Sequence, residues 1–326
     1  MTLNRRMLLA SLAAGLPVLA LRAPGVSAVP PTSPAPPVPG AQPAPATRSA
    51  TPPVRYTMTA FTNDSEADLY VYESSDALHF EVLKERAYHP PTGLMRDPCM
   101  FRHTDGGYYL TYTTGWEGRT IGFAHSTDRI NWSHMYDYEV GLPAITSTWA
   151  PEWLIASDGS VNVMVSLSNG YRFTPHIMTA ADRFLRSWSD PTPMLGLTPE
   201  PGDDQSYGYI DTTVVPVGNR YYAFTKNETT KLVELAVGDA PAGPYSFVAK
   251  DDWAGWGTPR EGQSLTLLPD GGRRIFFDAY EDEKYYYSDS YDGFTTWTPP
   301  RELPDLSGTV RHVTVYAEPN PRPRGA

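Results

Sequence analysis

The chain has 326 residues, a formal net charge of −11 and no basic clusters, a balance that argues against nucleic acid or anionic lipid as a partner. Its single cysteine, Cys99, excludes an internal disulfide and any cysteine-based metal site. The aromatic content of 12% suits a neutral, ring-shaped ligand, although Tyr and Trp are also ordinary strand formers.

Residues 1–28 read as an export signal. Asn4-Arg5-Arg6 precedes a short Ala/Leu-rich run that closes on Val26-Ser27-Ala28, a small-residue cleavage pattern, and the paired arginines suggest the twin-arginine route of bacteria. Met7 to Leu21 is too short and interrupted for a membrane span, so a cleaved signal is preferred over an anchor, and the mature protein is expected outside the cell and off the membrane. Residues 29–54 form a Pro/Ala-rich linker, with ten prolines between Pro30 and Pro53, which cannot build a core. Residues 55–319 are one block, long enough for a single large β domain, followed by a tail at 320–326; the protein is expected to act as a monomer.

Two repeated elements run through that block. The first is an Asp in a turn with an aromatic a few positions later: Asp76, Asp128, Asp182, Asp239 and Asp292, spaced 52, 54, 57 and 53 residues apart. These outer aspartates read as turn caps. The second is a polar residue that begins an apolar strand, followed by a turn and a Tyr-rich strand. Asp97 leads into Asp105-Gly106-Gly107, Glu152 into Asp158-Gly159, Asp211 into Gly218-Asn219 and Glu261 into Asp270-Gly271-Gly272. The second element leads the first by 31, 30, 28 and 31 residues.

A fifth copy is split. The strand around His312 begins 51 residues after Glu261, and the rest of its unit, strands near Tyr56–Phe61 and Leu69–Glu73, lies at the other end of the block. The pattern predicts an all-β fold, a five-bladed β-propeller closed by pairing N- and C-terminal strands in one blade, with no exposed edges and no long helices.

The first strand of each blade lines the central channel of a propeller. The residues at its start, Asp97, Glu152, Asp211, Glu261 and His312, should therefore converge on one pocket. Clustered carboxylates repel and raise one another's pKa values, a cost that active sites accept. Glycoside hydrolysis needs one protonated and one ionised carboxyl group across the scissile bond, about 6.5–9.5 Å apart when the ionised group activates water and configuration inverts. A third carboxylate beside the acid can keep it protonated.

Spacing alone does not assign these roles. The segments Arg96-Asp97-Pro98, Trp149-Ala150-Pro151-Glu152, Tyr209-Ile210-Asp211, Arg260-Glu261-Gly262 and Arg311-His312-Val313-Thr314-Val315 resemble, in order, the five blade motifs of glycoside hydrolase family 43, the arabinofuranosidase, arabinanase and xylosidase family. The resemblance implies that Asp97 is the general base, Asp211 the residue that tunes and orients the acid, and Glu261 the general acid. It implies that Trp149, Arg311 and His312 bind the sugar, and that His312 corresponds to a histidine that holds a hydrated calcium ion in some members; no cofactor is otherwise required. Gln263 stands where many relatives have proline, and Val313 where a small residue is usual.

Most of these residues also fit structural roles. Asp97 before Pro98 also fits a turn residue, and Asp211 and Glu261 fit strand-end acceptors. Trp149 fits simple packing, and His312 fits a direct partner of the acids or the holder of a bridging water. Glu152 has no catalytic role to fill and reads as structural. The expected function is inverting hydrolysis of a terminal pentose, α-L-arabinofuranose, from cell-wall polysaccharide. Alternatives are hydrolysis of another furanoside such as galactofuranoside, hydrolysis of a β-xyloside, and a carbohydrate-binding propeller lectin without turnover.

Overall fold

The structure is a computed structural model that describes residues 54–200 and 202–320. The expected signal, the linker as far as residue 53 and the tail from residue 321 lie outside the described residues. Within them the chain folds into five four-stranded antiparallel sheets, the blades of a propeller. In four of the blades the four strands follow one another along the chain from the axis outward.

Blade I is the composite one. From the axis outward it runs β20 (Val310–Pro319), β1 (Val54–Thr62), β2 (Ser65–Ser74) and β3 (Glu81–Tyr88). Blade II contains β4 (Arg96–Arg102), β5 (Tyr108–Thr113), β6 (Thr120–Ser126) and β7 (Trp132–Glu139). Blade III contains β8 (Ser147–Ile155), β9 (Val161–Ser168), β10 (Phe173–Thr179) and the short β11 (Thr192–Pro193). Blade IV contains β12 (Tyr209–Val217), β13 (Arg220–Asn227), β14 (Leu232–Gly238) and β15 (Tyr245–Ala249). Blade V contains β16 (Glu261–Leu267), β17 (Arg273–Ala279), β18 (Lys284–Ser290) and the short β19 (Arg301–Glu302).

The sequence dictates this outcome through local turns and apolar faces. At the far end of β4, β8 and β16 an Asp side chain accepts a hydrogen bond from the main chain two residues on: Asp105 from Gly107 (2.8 Å), Asp158 from Ser160 (2.9 Å) and Asp270 from Gly272 (3.0 Å). The sheets then bury their faces against one another, and the apolar side chains form one cluster at each of the five blade junctions. Phe123 and Trp153 centre the one between blades II and III, Met164 and Ala223 the one between III and IV, and Phe224 and Phe277 the one between IV and V. Met58 with Phe276 closes V against I, and Leu69 with Leu110 closes I against II. A ring of five such junctions leaves no sheet face open.

Closure is completed by β20, which pairs along the whole of β1 from Val54↔Pro319 to Thr62↔Val310. Glu318 near its end is 3% exposed and is clamped by Arg55 Nε (3.1 Å) from β1, by Arg102 Nη1 (3.1 Å) from β4 and by the Tyr108 hydroxyl (3.0 Å) from β5. A buried carboxylate with two guanidinium partners is fully compensated, and loss of either partner would strand charge in the interior.

The outer aspartates behave as turn caps in four of the five blades. Asp76, Asp128 and Asp292 each accept two main-chain N–H groups, and Asp182 accepts that of Phe184. Asp239 departs from the expectation: it is exposed and pairs with the Arg220 guanidinium at 2.9 Å instead.

Candidate active site

All five inner strands carry a β-bulge near their first residues. The register slips between Arg96 and Cys99, Trp149 and Glu152, Ile210 and Thr213, and Glu261 and Ser264; in β20 it slips opposite Thr59 and Phe61. In each bulge one residue takes a left-handed backbone conformation: Asp97 (φ 52°), Ala150 (47°), Asp211 (52°), Gly262 (55°) and His312 (41°). Four of the five are not glycine, a conformation that costs an L-residue about 1–2 kcal/mol and persists only where the surroundings impose it. The bulge turns these side chains out of the ladder and toward the axis.

This geometry corrects the expected equivalence of Asp97, Glu152, Asp211, Glu261 and His312. Only Asp97, Asp211 and His312 share the left-handed position. Glu261 precedes it by one residue, at the position of Arg96, Trp149, Ile210 and Arg311. Glu152 follows it by two, and is buried away from the residues that line the pocket. There the Thr213 hydroxyl donates to Glu152 at 2.8 Å, and burial pushes the carboxyl up to about 8 against that hydrogen bond.

The remaining residues meet in one pocket of about 380 Å³, which Asp97, Asp211, Glu261, Trp149, Arg311 and His312 all line. Asp97 faces the His312 ring, with Oδ1 3.0 Å from Nδ1, and Oδ2 accepts the Thr113 hydroxyl at 2.6 Å. Burial alone would raise Asp97; the charge and hydrogen bond of His312, the Arg96 charge and the Thr113 hydroxyl outweigh it and hold the carboxyl well below the usual range. Burial disfavours charge on His312 in turn, and the carboxylates of Asp97, Asp211 and Glu261 overcome it, lifting the imidazole to about 10.

Asp211 sits otherwise. Burial pushes it up to about 6, the charges of Glu261 and Asp97 add to the rise, and His312 and Lys226 oppose it. Its Oδ2 accepts the Gly262 N–H at 3.1 Å and its own N–H donates to the Ser166 hydroxyl at 3.1 Å. The Gln263 amide donates to the main-chain carbonyls of Asp211 and of Phe224 (2.9 Å for the latter), tying β16 to blade IV directly behind Asp211.

Glu261 is held between two cations. Lys226 Nζ donates to Oε2 at 2.6 Å and Arg311 Nη2 stands 3.6 Å from Oε1. Arg311 is itself fixed by Asp278 (2.6 Å), which also accepts the His312 N–H at 3.2 Å. Asp278 lies opposite Glu261 in the register of β16 and β17, and burial pushes it up to about 7, with Arg311 opposing the rise.

Sequence reasoning missed Lys226, Glu228, Glu66, Trp116 and Tyr280, which line the same pocket. Lys226 is 2% exposed and pairs with Glu228 (3.0 Å) as well as Glu261. The available signal was a lysine ending the apolar run Tyr221-Tyr222-Ala223-Phe224-Thr225, since a lysine is buried only when paired. Arg96 stacks on Trp116 at 3.8 Å, and Trp149 donates its indole N–H to the Trp116 carbonyl at 3.0 Å.

The resemblance implied a hydrated calcium ion held through His312. Nδ1 of that imidazole faces Asp97 Oδ1 at 3.0 Å, and the surrounding carboxylates favour the charged ring, so an ion there would take its six to eight oxygen ligands from water and from groups other than Nδ1. Among the described residues no group of three or more His, Cys, Asp or Glu side chains is placed to hold a metal.

A family model described as a probable glycosyl hydrolase domain, related to glycoside hydrolase family 43, matches residues 52–317, the whole propeller. The chain belongs to glycoside hydrolase family 43. As a family 43 hydrolase it is similar to an α-L-arabinofuranosidase of Bifidobacterium longum, 28% identical over 167 residues, which are 42% of this chain and 15% of that protein's length. Its fold matches a thermostable family 43 glycoside hydrolase with a TM-score of 0.59 at 16% identity, covering 76% of this chain and 92% of the other. An endo-1,4-β-xylanase of Bacteroides thetaiotaomicron matches with a TM-score of 0.59 at 12% identity, covering 80% and 93%. At these identities the likeness is one of fold.

Proposed function

We propose that the protein is an exported, inverting, exo-acting glycosidase that removes terminal α-L-arabinofuranosyl residues from cell-wall polysaccharide. The observation that carries the reading is the convergence of three carboxylates in one pocket, each in a different charge environment. Asp97, kept ionised by His312, accepts a proton from water as that water attacks the anomeric carbon. Glu261 in its protonated form gives its proton to the leaving oxygen and returns to the carboxylate that Lys226 and Arg311 hold in the structure. Asp211, raised by burial and by Glu261, adjusts the charge around that acid, and Trp149 walls the sugar. The choice of arabinofuranose leans on the similarity to the Bifidobacterium protein.

The test is hydrolysis of aryl α-L-arabinofuranoside, aryl β-D-xyloside and aryl β-D-galactofuranoside by the wild type and by Glu261→Ala, with proton NMR of a fresh arabinan digest. The expected result is arabinofuranosidase activity that the substitution reduces about 10³-fold or more on arabinan, in line with loss of general acid catalysis, and an inverted first product. Equal activity of the two proteins overturns the role of Glu261; retention of configuration overturns that of Asp97.

A further inference from the structure

Aromatic side chains continue outward from one side of the pocket. Trp116, in the β5–β6 connection, meets Trp149 edge to face with centroids 5.8 Å apart, and Trp149 tilts onto Phe173 at 4.7 Å. The Phe173 N–H donates to the Tyr207 carbonyl at 2.9 Å, and Tyr207 packs edge to face on Tyr171 at 5.7 Å. Trp116, Tyr171 and Tyr207 remain 51%, 52% and 49% exposed, so their rings add little to the core.

The outer pair is nevertheless held firmly. The Tyr171 hydroxyl donates to the Asp204 carbonyl at 2.7 Å, the Arg172 guanidinium to the carbonyls of Ser206 (3.0 Å) and Asp203 (2.8 Å), and the Tyr207 N–H to the Thr229 hydroxyl at 2.8 Å. Gly208 makes the latch close: its φ is +85°, and a Cβ there would stand 1.9 Å from the Phe173 carbonyl oxygen. Rings fixed before a ligand arrives do not charge it the entropy of ordering them. Their faces are electron-rich and apolar and about half of each residue stays open to solvent, which matches the C–H face of a sugar ring. The exposed Asp203 and Asp204 beside them disfavour an anionic polymer.

From this continuity with the pocket we infer that Tyr171 and Tyr207 form an outer platform for the sugar units of an uncharged polysaccharide that extend beyond the residue being cleaved. The inference rests on the glycosidase reading for its polymer. Its test is Tyr171→Ala/Tyr207→Ala against Tyr171→Phe/Tyr207→Phe, with kcat/KM measured on arabinan and on an aryl arabinofuranoside. Retardation of the same proteins in gels containing arabinan, arabinoxylan, galactan or polygalacturonan is read in parallel.

Removal of the rings is expected to lower kcat/KM on the polymer about tenfold, the equivalent of about 1.4 kcal/mol. The aryl substrate should be hydrolysed as before, retardation in the neutral gels should fall, and the phenylalanine pair, which keeps both rings and loses the Tyr171 hydroxyl bond to Asp204, should fall between the wild type and the alanine pair. Losses in equal proportion on both substrates, no loss on either, or stronger retardation by polygalacturonan than by any neutral polymer would overturn the platform. Should the wild type cleave none of the substrates, the glycosidase reading falls separately. The gels then decide: retardation that the alanine pair loses supports the platform, and retardation that is equal or absent overturns it.

Discussion

Thr113→Val isolates the device that holds Asp97 in place. Thr113 is 1% exposed, and its hydroxyl donates to Asp97 at 2.6 Å while accepting the buried Ala150 N–H at 2.8 Å, so one oxygen joins two neighbouring bulges. Valine keeps the shape and removes both bonds. A hydrogen bond to a charged group contributes about 1.5–3 kcal/mol and an orphaned buried N–H costs about 1–3 kcal/mol. The two share one atom and do not add in full, which sets the loss at about 3 kcal/mol. For a domain of this size that is a fall in Tm of about 6 °C or more.

The pH dependence gives the argument a second handle. Asp97 has a depressed pKa in the folded state, so the stability it contributes is present above its unfolded value, about 3.9, and is lost as pH falls through the folded value. Without the Thr113 hydroxyl the folded value rises toward the unfolded one. Calorimetry should therefore find the gap between wild type and variant full at pH 5–7 and narrowing toward pH 2, and Thr113→Ser should restore the wild-type Tm. A valine variant that melts with the wild type at pH 7, or a serine variant as unstable as valine, would refute the reasoning.

Glu152→Gln is expected to raise Tm at pH 9 by several degrees and to leave it nearly unchanged at pH 4. Burial raises the folded pKa to about 8, so the contribution of Glu152 is present below its unfolded value and is lost as pH rises through about 8, where glutamine has no charge to bury. Thermal melts at the two pH values check this, and an equal effect at both would contradict it. Gly262→Ala places a Cβ 2.7 Å from the His312 ring carbon Cγ and 3.0 Å from its Cα, at a φ of +55°. The ring must move, and kcat/KM is expected to drop about 10²-fold with an unchanged circular dichroism spectrum. A wild-type rate would show that the position of His312 does not matter.

The architecture was legible because its determinants are local and repeated. Asp-Gly turns, alternating apolar strands and a period near 53 residues each specify one blade, and the split unit at the two ends of the block specifies closure. The phase of the inner strands was not legible. A bulge sets two residues against one and so changes which side chains face the axis, yet nothing in Trp149-Ala150-Pro151-Glu152 marks Ala150, and not Glu152, as the partner of Asp97. Lys226, Tyr280 and Trp116 escaped for another reason: they come from second strands and hairpin tips, where only the three-dimensional ring brings them to the axis. The outer aspartates were read correctly where a serine or a following amide favours the cap, and not at Asp239, where a nearby arginine competes.

The five left-handed bulges separate the chemistry of the site from the stability of its frame. Ladder pairing resumes on either side of each, so the residue at its apex can change without re-registering a strand, provided it tolerates the backbone conformation. Three of these sockets hold charged or titratable groups in this protein and two hold Ala150 and Gly262, whose small side chains leave room for their neighbours. Ala150 is 2% exposed, so a larger side chain in that socket would press on its neighbours as a methyl at Gly262 presses on His312, and the frame that spares the ladder still limits what its apices can carry.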